Sequence, residues 1–336
     1  ARAGEPEQLG SSLASPVIYS ICCIYYGQNL SPQGEGFFFF ANCSPIAYND
    51  HMYERMCRMR ISACYIVKDE ADALRRSLAS VSPAADEIVV VSTVGDAAVA
   101  AAAADYHAAC YEMPWRDDFS LARNYALQQA SGDIIIFLDA DEYFFHPGEV
   151  RTAIEETAAH QPDFDIIMIQ LCSFLTAETT ADASYDRSPR ILRMPMHYAG
   201  IIHEQAVRPD GRERVLVYGD ERLAAGHTGY LKECGAEKIR RNIALLERDA
   251  ALHGRTAVHA FYLADCYFGL QDYAQALVLS EEALRSDYVF IGEESKIYHQ
   301  MIESMRALRY SDEEMLAVAD EALARYPDLP DFYGQR

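Results

Sequence analysis

From position 60 onward, short apolar runs alternate with helical patterns. Four runs have the length and the β-branched content of strands: residues 61–67, 87–91, 109–112 and 134–138. Three intervening segments have amphipathic spacing or a high alanine content and predict helices: residues 71–81, 97–106 and 121–130. This alternation predicts an α/β fold, with a mostly parallel sheet covered by helices on both faces.

The pattern changes in the second half of the chain. Residues 163 to about 230 continue as strands and loops, and from Glu233 the chain is helical. Within residues 263–283 the alternation of small and large side chains matches a tetratricopeptide helical hairpin, and a looser hairpin is predicted over residues 295–325. We therefore predict a short helical module over residues 233–336, after an α/β domain over residues 59–232.

Residues 1–58 differ from the rest of the chain. They combine Gly, Ser, Pro and Asn with the run Phe37–Phe40, and they show no sustained helical or strand period. A strand begins almost directly after Met59. One hypothesis is that Met59 is the natural start and that residues 1–58 are an upstream extension.

Composition limits the classes of partner. The chain has 336 residues and a formal net charge of −22, which argues against a nucleic-acid or anionic-membrane surface, because both require an excess of Lys and Arg. The nine cysteines are scattered and include no Cys-x-x-Cys pair. We therefore expect them to be buried, to pack as small hydrophobic residues and to stay reduced, rather than to form disulfides or a zinc site. The apolar stretch at residues 17–26 is too short to span a bilayer. The expected location is the cytoplasm, with peripheral attachment to the inner membrane left open.

Three polar clusters follow predicted strands: residues 68–70, 92–96 and 139–142. Ligands of parallel sheets bind at the carboxyl ends of strands, so these clusters are candidates for one site. The strongest is the third, because Asp139 and Asp141 directly follow a buried strand and present oxygen ligands suited to Mg²⁺ or Mn²⁺. The alternative is that these acids only cap a following helix.

A second group lies at residues 115–124. Asp118 or Ser120 could cap the helix that carries Arg123 and Asn124. A guanidinium binds oxyanions in a bidentate fork, so Arg123 could serve a pyrophosphate or support the carboxylates. An ordinary ion pair at a helix start is the alternative.

In their order along the chain, these motifs resemble family 2 glycosyltransferases with the GT-A fold, a Rossmann-like sheet. The motifs are Lys68-Asp69-Glu70, Asp86-Glu87-Ile88-Val89-Val90-Val91, Trp115-x-Asp117-Asp118-Phe119-Ser120-x-Ala122-Arg123-Asn124, Gly132-Asp133 and Leu138-Asp139-Ala140-Asp141-Glu142. The resemblance continues through Arg190-Ile191-Leu192-Arg193, Gly200-Ile201-Ile202-His203-Glu204 and His227-Thr228-Gly229-Tyr230. The resemblance covers roughly residues 60–290. Within the family, the chain looks most like the bacterial subgroup that joins this domain to tetratricopeptide-like helices.

The resemblance implies a metal-assisted, inverting transfer of a hexose or similar sugar from a nucleotide-sugar donor, with a UDP-sugar favoured. It implies that Glu204 is the general base and that Asp139, Asp141 and His203 hold Mg²⁺ or Mn²⁺, with His227 as the other imidazole candidate. It also implies that the nucleotide sugar is bound by Glu70, Ser92, Asp96, Arg123, Asn124 and Asp139. The acceptor would be a saccharide, a lipid-linked molecule or a peptide, and the helices could form a homodimer.

One departure concerns the nucleoside. The family usually has Asp-Thr-Gly-Ser-Thr-Asp after its second strand, whereas this chain reads Ser92-Thr93-Val94-Gly95-Asp96, one residue shorter and without the first Asp. A hydroxyl binds ribose more weakly than a carboxylate does. The alternative function is therefore a catalytically weakened domain that acts as a binding scaffold through its helices. A nucleotidyltransferase is disfavoured, since residues 65–74 contain no Gly-rich basic loop.

Overall fold

The computed structural model describes residues 59–174, 183–229, 235–285 and 294–327. The hypothesis about residues 1–58 lies outside these ranges and stays a prediction. The domain boundaries at positions 58 and 232 likewise stay predictions.

The first half alternates strands and helices, as predicted. Its elements are β1 (Ile61–Val67), α1 (Ala71–Val81), β2 (Glu87–Ser92), α2 (Ala97–Asp105), β3 (Ala109–Glu112), α3 (Phe119–Gln129), β4 (Ile134–Phe137), β5 (Glu142–Phe144) and α4 (Val150–His160). The helix starts follow local chemistry, because Asp96 and Asp118 accept backbone N–H groups at the first turns of α2 and α3.

Strands then dominate up to position 227, and helices follow. The strands are β6 (Ile166–Phe174), β7 (Ala183–Arg193), β8 (His197–Ala199), β9 (Gln205–Val207), β10 (Leu216–Tyr218) and β11 (Ala225–His227). The helices are α5 (Ala236–His253), α6 (Ala257–Gly269), α7 (Tyr273–Leu284), α8 (Glu294–Ala307) and α9 (Asp312–Arg325).

One mixed sheet forms the centre of the α/β part. Its strand order is β3-β2-β1-β4-β7-β6-β11-β5, and β10 pairs separately with β6. The four strands from β3 to β4 are parallel, whereas β7 runs antiparallel to both β4 and β6. A separate hairpin pairs β8 with β9. The antiparallel β7 matters for the site, because it brings a distant part of the chain next to β4.

Helices cover both faces of this sheet. On one face, Leu74, Val99 and Ile154 of α1, α2 and α4 pack in a single buried cluster with inward side chains of the strands. On the other face, Ala126 of α3 and Tyr198 of β8 join a second cluster. Both clusters consist of fully or nearly fully buried apolar side chains, which supply the main driving force for this packing. The predicted α/β fold class and the helical module after it are confirmed.

Two further features bear on the sequence predictions. Among the residues that the structure describes, no helix combines the length and the apolar character needed to cross a bilayer. Of the described cysteines, Cys64, Cys172 and Cys266 are buried free thiols, as expected. Cys110 is exposed instead, because it lies on β3 at the edge of the sheet.

Gly132 offers a test of the strand packing. A Cβ at this position would lie 2.7 Å from the backbone nitrogen of Ser62 and 2.8 Å from the carbonyl oxygen of Ile134, and neither atom can rotate away. We expect Gly132→Ala to lower the free energy of unfolding by about 1–3 kcal/mol, measured by urea denaturation. The matched control is Gly148→Ala, where nothing lies within 4 Å, and it should change stability by less than about 0.5 kcal/mol. Equal effects of the two substitutions would contradict this packing.

Candidate functional site

The carboxyl ends of β2, β1 and β4 lie side by side, because the three strands are adjacent and parallel. Residues 92–96, 68–70 and 139–142 follow these strands in that order across the edge. Neighbouring strands are about 4.8 Å apart, so the three polar clusters fall within roughly 10 Å. The structure thus brings all three clusters to one edge of the sheet.

Asp139 is held between two arginines at the end of β4. Arg123 of α3 donates from Nη2 to Oδ1 at 2.9 Å, and Arg190 of β7 donates from Nη2 to Oδ2 at 2.9 Å. Burial opposes ionisation of this carboxyl, but the Arg190 and Arg123 guanidinium groups hold its pKa well below its usual range. Asp139 is therefore a carboxylate with both oxygens already accepting hydrogen bonds.

Glu142 shares Arg190 with Asp139. Arg190 donates from Nε to Oε2 of Glu142 at 2.8 Å and from Nη2 to Oε1 at 2.5 Å, a two-point ion pair. The Glu142 side chain is 1% exposed. Sequence reasoning assigned Arg190 no role, because its contact with these acids depends on β7 lying beside β4.

Glu204, the predicted general base, is the second partner of Arg123. The Nε of Arg123 donates to Oε1 of Glu204, whereas Oε2 has no hydrogen-bond partner among the described residues. The guanidinium also lies against the rings of Phe137 and Tyr198, at 4.6 and 5.4 Å from the ring centroids. Arg123 therefore connects the first acid of the Asp-x-Asp motif to Glu204, although the general-base role of Glu204 stays a prediction.

Asn124 uses both ends of its amide to bind the β8 backbone. Its Nδ2 donates to the carbonyl oxygen of Tyr198 at 2.8 Å, and its Oδ1 accepts from the Tyr198 N–H at 2.7 Å. Because β8 leads into residues 200–204, this pair of hydrogen bonds positions the segment that carries Glu204. The predicted contact of Asn124 with the nucleotide sugar stays a prediction.

Asp141 lies beside His227 of β11. The Nε2 of His227 is 3.5 Å from Oδ2 of Asp141, and Nδ1 of His227 is hydrogen-bonded to the Ser173 hydroxyl at 3.1 Å. Burial opposes protonation, but Asp141 raises the pKa of His227 above its ordinary value. A Cβ on Gly229 would lie 2.5 Å from both Oδ2 of Asp141 and Nε2 of His227, so the glycine keeps this corner open.

This corner contains two side chains whose chemistry suits a divalent cation. Among the described residues, no three His, Cys, Asp or Glu side chains are grouped as a complete set of metal ligands. Mg²⁺ is commonly bound by one or two carboxylates together with the phosphates of a substrate, so a preformed set of three is not required. Asp141 and His227 are the oxygen and nitrogen donors that could hold such a cation, and Gly229 leaves the space beside them.

His203, the predicted imidazole ligand, contacts the helical module. Its ring is stacked on Tyr262 of α6, with a centroid distance of 3.5 Å and an interplanar angle of 1°. His203 thus joins the α/β part to the helices, and the imidazole beside Asp141 is His227. The metal role assigned to His203 stays a prediction.

Ser92 and Asp96, two of the predicted nucleotide-sugar contacts, build the turn after β2. The Ser92 hydroxyl accepts the Asp96 N–H at 3.1 Å, and Oδ1 of Asp96 accepts the Ala98 N–H at 2.6 Å. Glu70 precedes α1, and its carboxylate makes no capping hydrogen bond. The three predicted nucleoside contacts therefore lie on neighbouring strand ends, and their roles stay predictions.

The helical module packs on the segment that carries Glu204. Ile201 and Ile202 are buried in one cluster with Leu246 of α5 and side chains of α6. Asp249 of α5 accepts the Ile201 N–H at 3.3 Å. A mutually buried apolar contact of this kind makes the helices a support for residues 200–204.

A comparison with known families supports the resemblance in the sequence. Residues 62–200, less than half of the chain, match the model of the family described as Glycosyl transferase family 2. The matched segment runs from β1 to the turn after β8 and so includes the clusters at the strand ends, Arg123 and Arg190. The match supports a glycosyltransferase assignment for this segment.

Individual relatives are similar over parts of the chain. A TPR repeat-containing protein of Synechococcus elongatus is 46% identical over 102 residues, which is 30% of this chain and 25% of that relative. A solved mycobacterial protein is 20% identical with a TM-score of 0.32, over 36% of this chain and 44% of its own. Glucosyl-3-phosphoglycerate synthase from Mycobacterium tuberculosis, solved with Mn²⁺ and UDP-glucose, is 19% identical with a TM-score of 0.30, over 40% of this chain and 49% of its own. The chain thus spans about half or less of each of these relatives.

Removing Arg190 tests the buried ion pairs. Arg190→Met leaves Glu142 buried without its cation, and we expect the free energy of unfolding to fall by about 3–5 kcal/mol in chemical denaturation. The control is Arg222→Met, which breaks a more exposed pair with Asp220 and Glu156 and should cost less than about 1 kcal/mol. Adding Glu142→Gln to Arg190→Met should recover part of the loss, because no buried carboxylate is then unpaired. A loss no larger than that of Arg222→Met would contradict the assignment.

Leu246 tests the contact between the helices and residues 200–204. Leu246 is 2% exposed, whereas Leu252 on the same helix is 62% exposed. We expect Leu246→Ala to cost about 2–5 kcal/mol and to speed amide hydrogen exchange at Ile201 and Ile202. Leu252→Ala should leave both quantities nearly unchanged. Unaltered exchange at residues 200–204 in Leu246→Ala would show that the helices do not support this segment.

Proposed function

We propose that this protein is a metal-dependent glycosyltransferase that moves a hexose or a similar sugar from a nucleotide donor, with a UDP-sugar favoured, to an acceptor hydroxyl with inversion. The observation that carries the proposal is the corner formed by Asp141, His227 and Gly229 at the end of β4. It lies beside Asp139, and Asp139 and Asp141 both fall within the segment that matches family 2 glycosyl transferases.

Asp141 and His227 are the residues that would hold Mg²⁺ or Mn²⁺, and the diphosphate of the donor would bind the same cation. A cation bound there would stabilise the negative charge that develops on the departing diphosphate. His203, the ligand implied by the family resemblance, is the less favoured candidate because its ring is stacked on Tyr262.

Glu204 is the group that would accept the proton of the acceptor. Its Oε1 is held by Arg123, so Oε2 is the oxygen left to take the proton as the acceptor oxygen attacks the anomeric carbon. A bond forms between that oxygen and the anomeric carbon, the bond to the diphosphate breaks, and the proton goes to Glu204. Asn124 contributes by fixing the β8 backbone that leads to Glu204.

The helical module would act as a support for the acceptor side. Its contact with Ile201 and Ile202 favours this role over acceptor recognition alone. The acceptor itself, whether a saccharide, a lipid-linked molecule or a peptide, would enter next to residues 203–204. A homodimer through the helices stays a prediction.

One observation favours the alternative, a binding scaffold without turnover. Both oxygens of Asp139 accept hydrogen bonds from arginines, so this acid is less available to a cation than the sequence motif implies. A scaffold would bind nucleotide sugars equally with and without Mn²⁺, whereas an enzyme of the proposed type would require the cation.

Asp141→Ala tests the proposed function. We expect hydrolysis or transfer of UDP-sugar donors with Mn²⁺ to fall by at least about a hundredfold, because the variant loses the carboxylate ligand of the cation. The control Asp163→Ala removes an exposed carboxylate outside the strand-end clusters and should retain the rate. Equal rates of Asp141→Ala and the wild type would exclude the metal role. UDP binding that is independent of Mn²⁺, without turnover, would favour the scaffold.

A further inference from the structure

Two turns of the α/β part meet at the start of α3. One is residues 113–118, which connect β3 to α3, and the other is residues 200–204, which follow β8 and carry Glu204. The Phe119 N–H donates to the Ile201 carbonyl oxygen at 2.8 Å and joins the two turns. The place of Glu204 therefore depends on how both turns are held.

Each turn contains a non-glycine residue with a positive φ. Asp117 has φ +55 and His203 has φ +51. Most side chains avoid this region because their Cβ approaches backbone atoms, so such a conformation persists where the surroundings hold it. Oδ1 of Asp117 accepts from Nε1 of Trp115 at 2.8 Å, and the His203 ring is stacked on Tyr262 of α6. The shapes of both turns thus depend on contacts made by their neighbours.

Two adjacent residues of α5 bind the backbones of these turns. Nη1 of Arg248 donates to the carbonyl oxygens of Arg116 at 3.4 Å and Asp117 at 3.2 Å. Oδ1 of Asp249 accepts the Ile201 N–H at 3.3 Å. The cation meets carbonyl oxygens and the carboxylate meets an N–H, which is the favourable partner for each charge. A helix of the helical module therefore contacts both turns at once.

The Asp249 carboxylate is itself oriented by two histidines. Nδ1 of His253 lies 2.6 Å from Oδ1, and Nε2 of His259 lies 3.1 Å from Oδ2. The Thr256 N–H donates to Nδ1 of His259 at 3.1 Å. Because a backbone N–H only donates, the proton of His259 is on Nε2, and His259 donates it to Asp249. Burial opposes ionisation of Asp249, but the hydrogen bonds from His253 and His259 lower its pKa below the ordinary value.

We propose that Arg248 and Asp249 are positioning residues of the sugar transfer, and that through them the helical module sets where Glu204 lies. This inference rests on the proposed function. The groups that would hold the donor, Asp141 and His227, lie at the other side of the site, after β4 and on β11. Loss of either α5 contact should therefore slow transfer and leave donor binding unchanged. A displacement of about 1 Å between reacting groups can slow a reaction by about a hundredfold.

Asp249→Asn is the sharpest variant, because it keeps the size of the side chain and replaces one acceptor with a donor. Either the Ile201 N–H or the Nε2–H of His259 then faces the new NH₂ group. His259 cannot exchange tautomers while its Nδ1 accepts the Thr256 N–H. A second substitution, His259→Gln, supplies an amide oxygen that can accept from this NH₂ group. The double variant should therefore restore the hydrogen bond to Ile201.

Two quantities would be measured on the full chain with Mn²⁺. The first is the dissociation constant of UDP by calorimetry, and the second is kcat for the UDP-sugar that the wild type hydrolyses fastest, with water in place of the acceptor. We expect Asp249→Asn to lower kcat by at least about tenfold and to change the UDP dissociation constant by less than about twofold. Adding His259→Gln should raise kcat again by at least about threefold. The control Glu247→Gln, an exposed carboxylate on the same helix, should retain both values.

Arg248→Met tests the other contact in a variant that retains the fold, because Arg248 is exposed. We expect kcat to fall by at least about threefold, again without a change in UDP binding. Arg240→Met, which removes another exposed arginine of α5, is the matched control and should retain the wild-type kcat.

Three results would contradict the proposal. A wild-type kcat in Asp249→Asn or in Arg248→Met would overturn the inference for that residue and leave the proposed function intact. An equal loss of kcat and UDP binding, not relieved by His259→Gln, would indicate general damage to the fold and would overturn the positioning role. Absence of UDP-sugar turnover in the wild type would overturn the inference and the proposed function together.

Discussion

The site depends on two buried guanidinium groups that share one carboxylate. Arg123 and Arg190 both donate to Asp139, and each also binds a second acid, Glu204 and Glu142 respectively. Removing such charges from water is costly, and the cost is recovered only when every partner is in place. These contacts therefore require α3, β4, β7 and residues 200–204 to assemble together. The arrangement of charges at the strand ends therefore forms only when the whole α/β part folds around it.

The position of residues 200–204 also depends on the helical module. Residues 200–204 are tied to α3 by the Phe119 N–H, which donates to the Ile201 carbonyl oxygen at 2.8 Å, and to α5 by Asp249. Asp249 in turn contacts His259 of α6 at 3.1 Å. A carboxylate that fixes a loop backbone from an adjacent helix restricts how far that loop can move. The helices and the sheet thus both determine where Glu204 lies.

Local patterns were enough to predict most of the elements. The bounds of β1, α1 and β3 agree with the sequence prediction, and α3 begins two residues earlier than expected, because Asp118 caps it. The clusters after β1, β2 and β4 were also found from sequence, since they are contiguous and follow buried strands. Pairings between distant positions could not be found in this way. Arg190 reaches the site only because β7 folds next to β4, and no local pattern encodes that neighbour. His227, which the family resemblance offered as a candidate, reaches Asp141 because β11 folds next to β5.

The interior and the edge of the sheet differ in how many contacts a single substitution affects. β4 lies in the interior of the sheet, and the charged side chains at its end have partners on other elements. A single substitution there therefore removes a partner from several other side chains. β3 is an edge strand of the sheet, and its residues Ala109, Cys110 and Glu112 are exposed. Substitutions at exposed positions usually change stability little. Single mutations can therefore accumulate along the sheet edge with little effect on the fold, while the paired charges at the end of β4 restrict change in the interior.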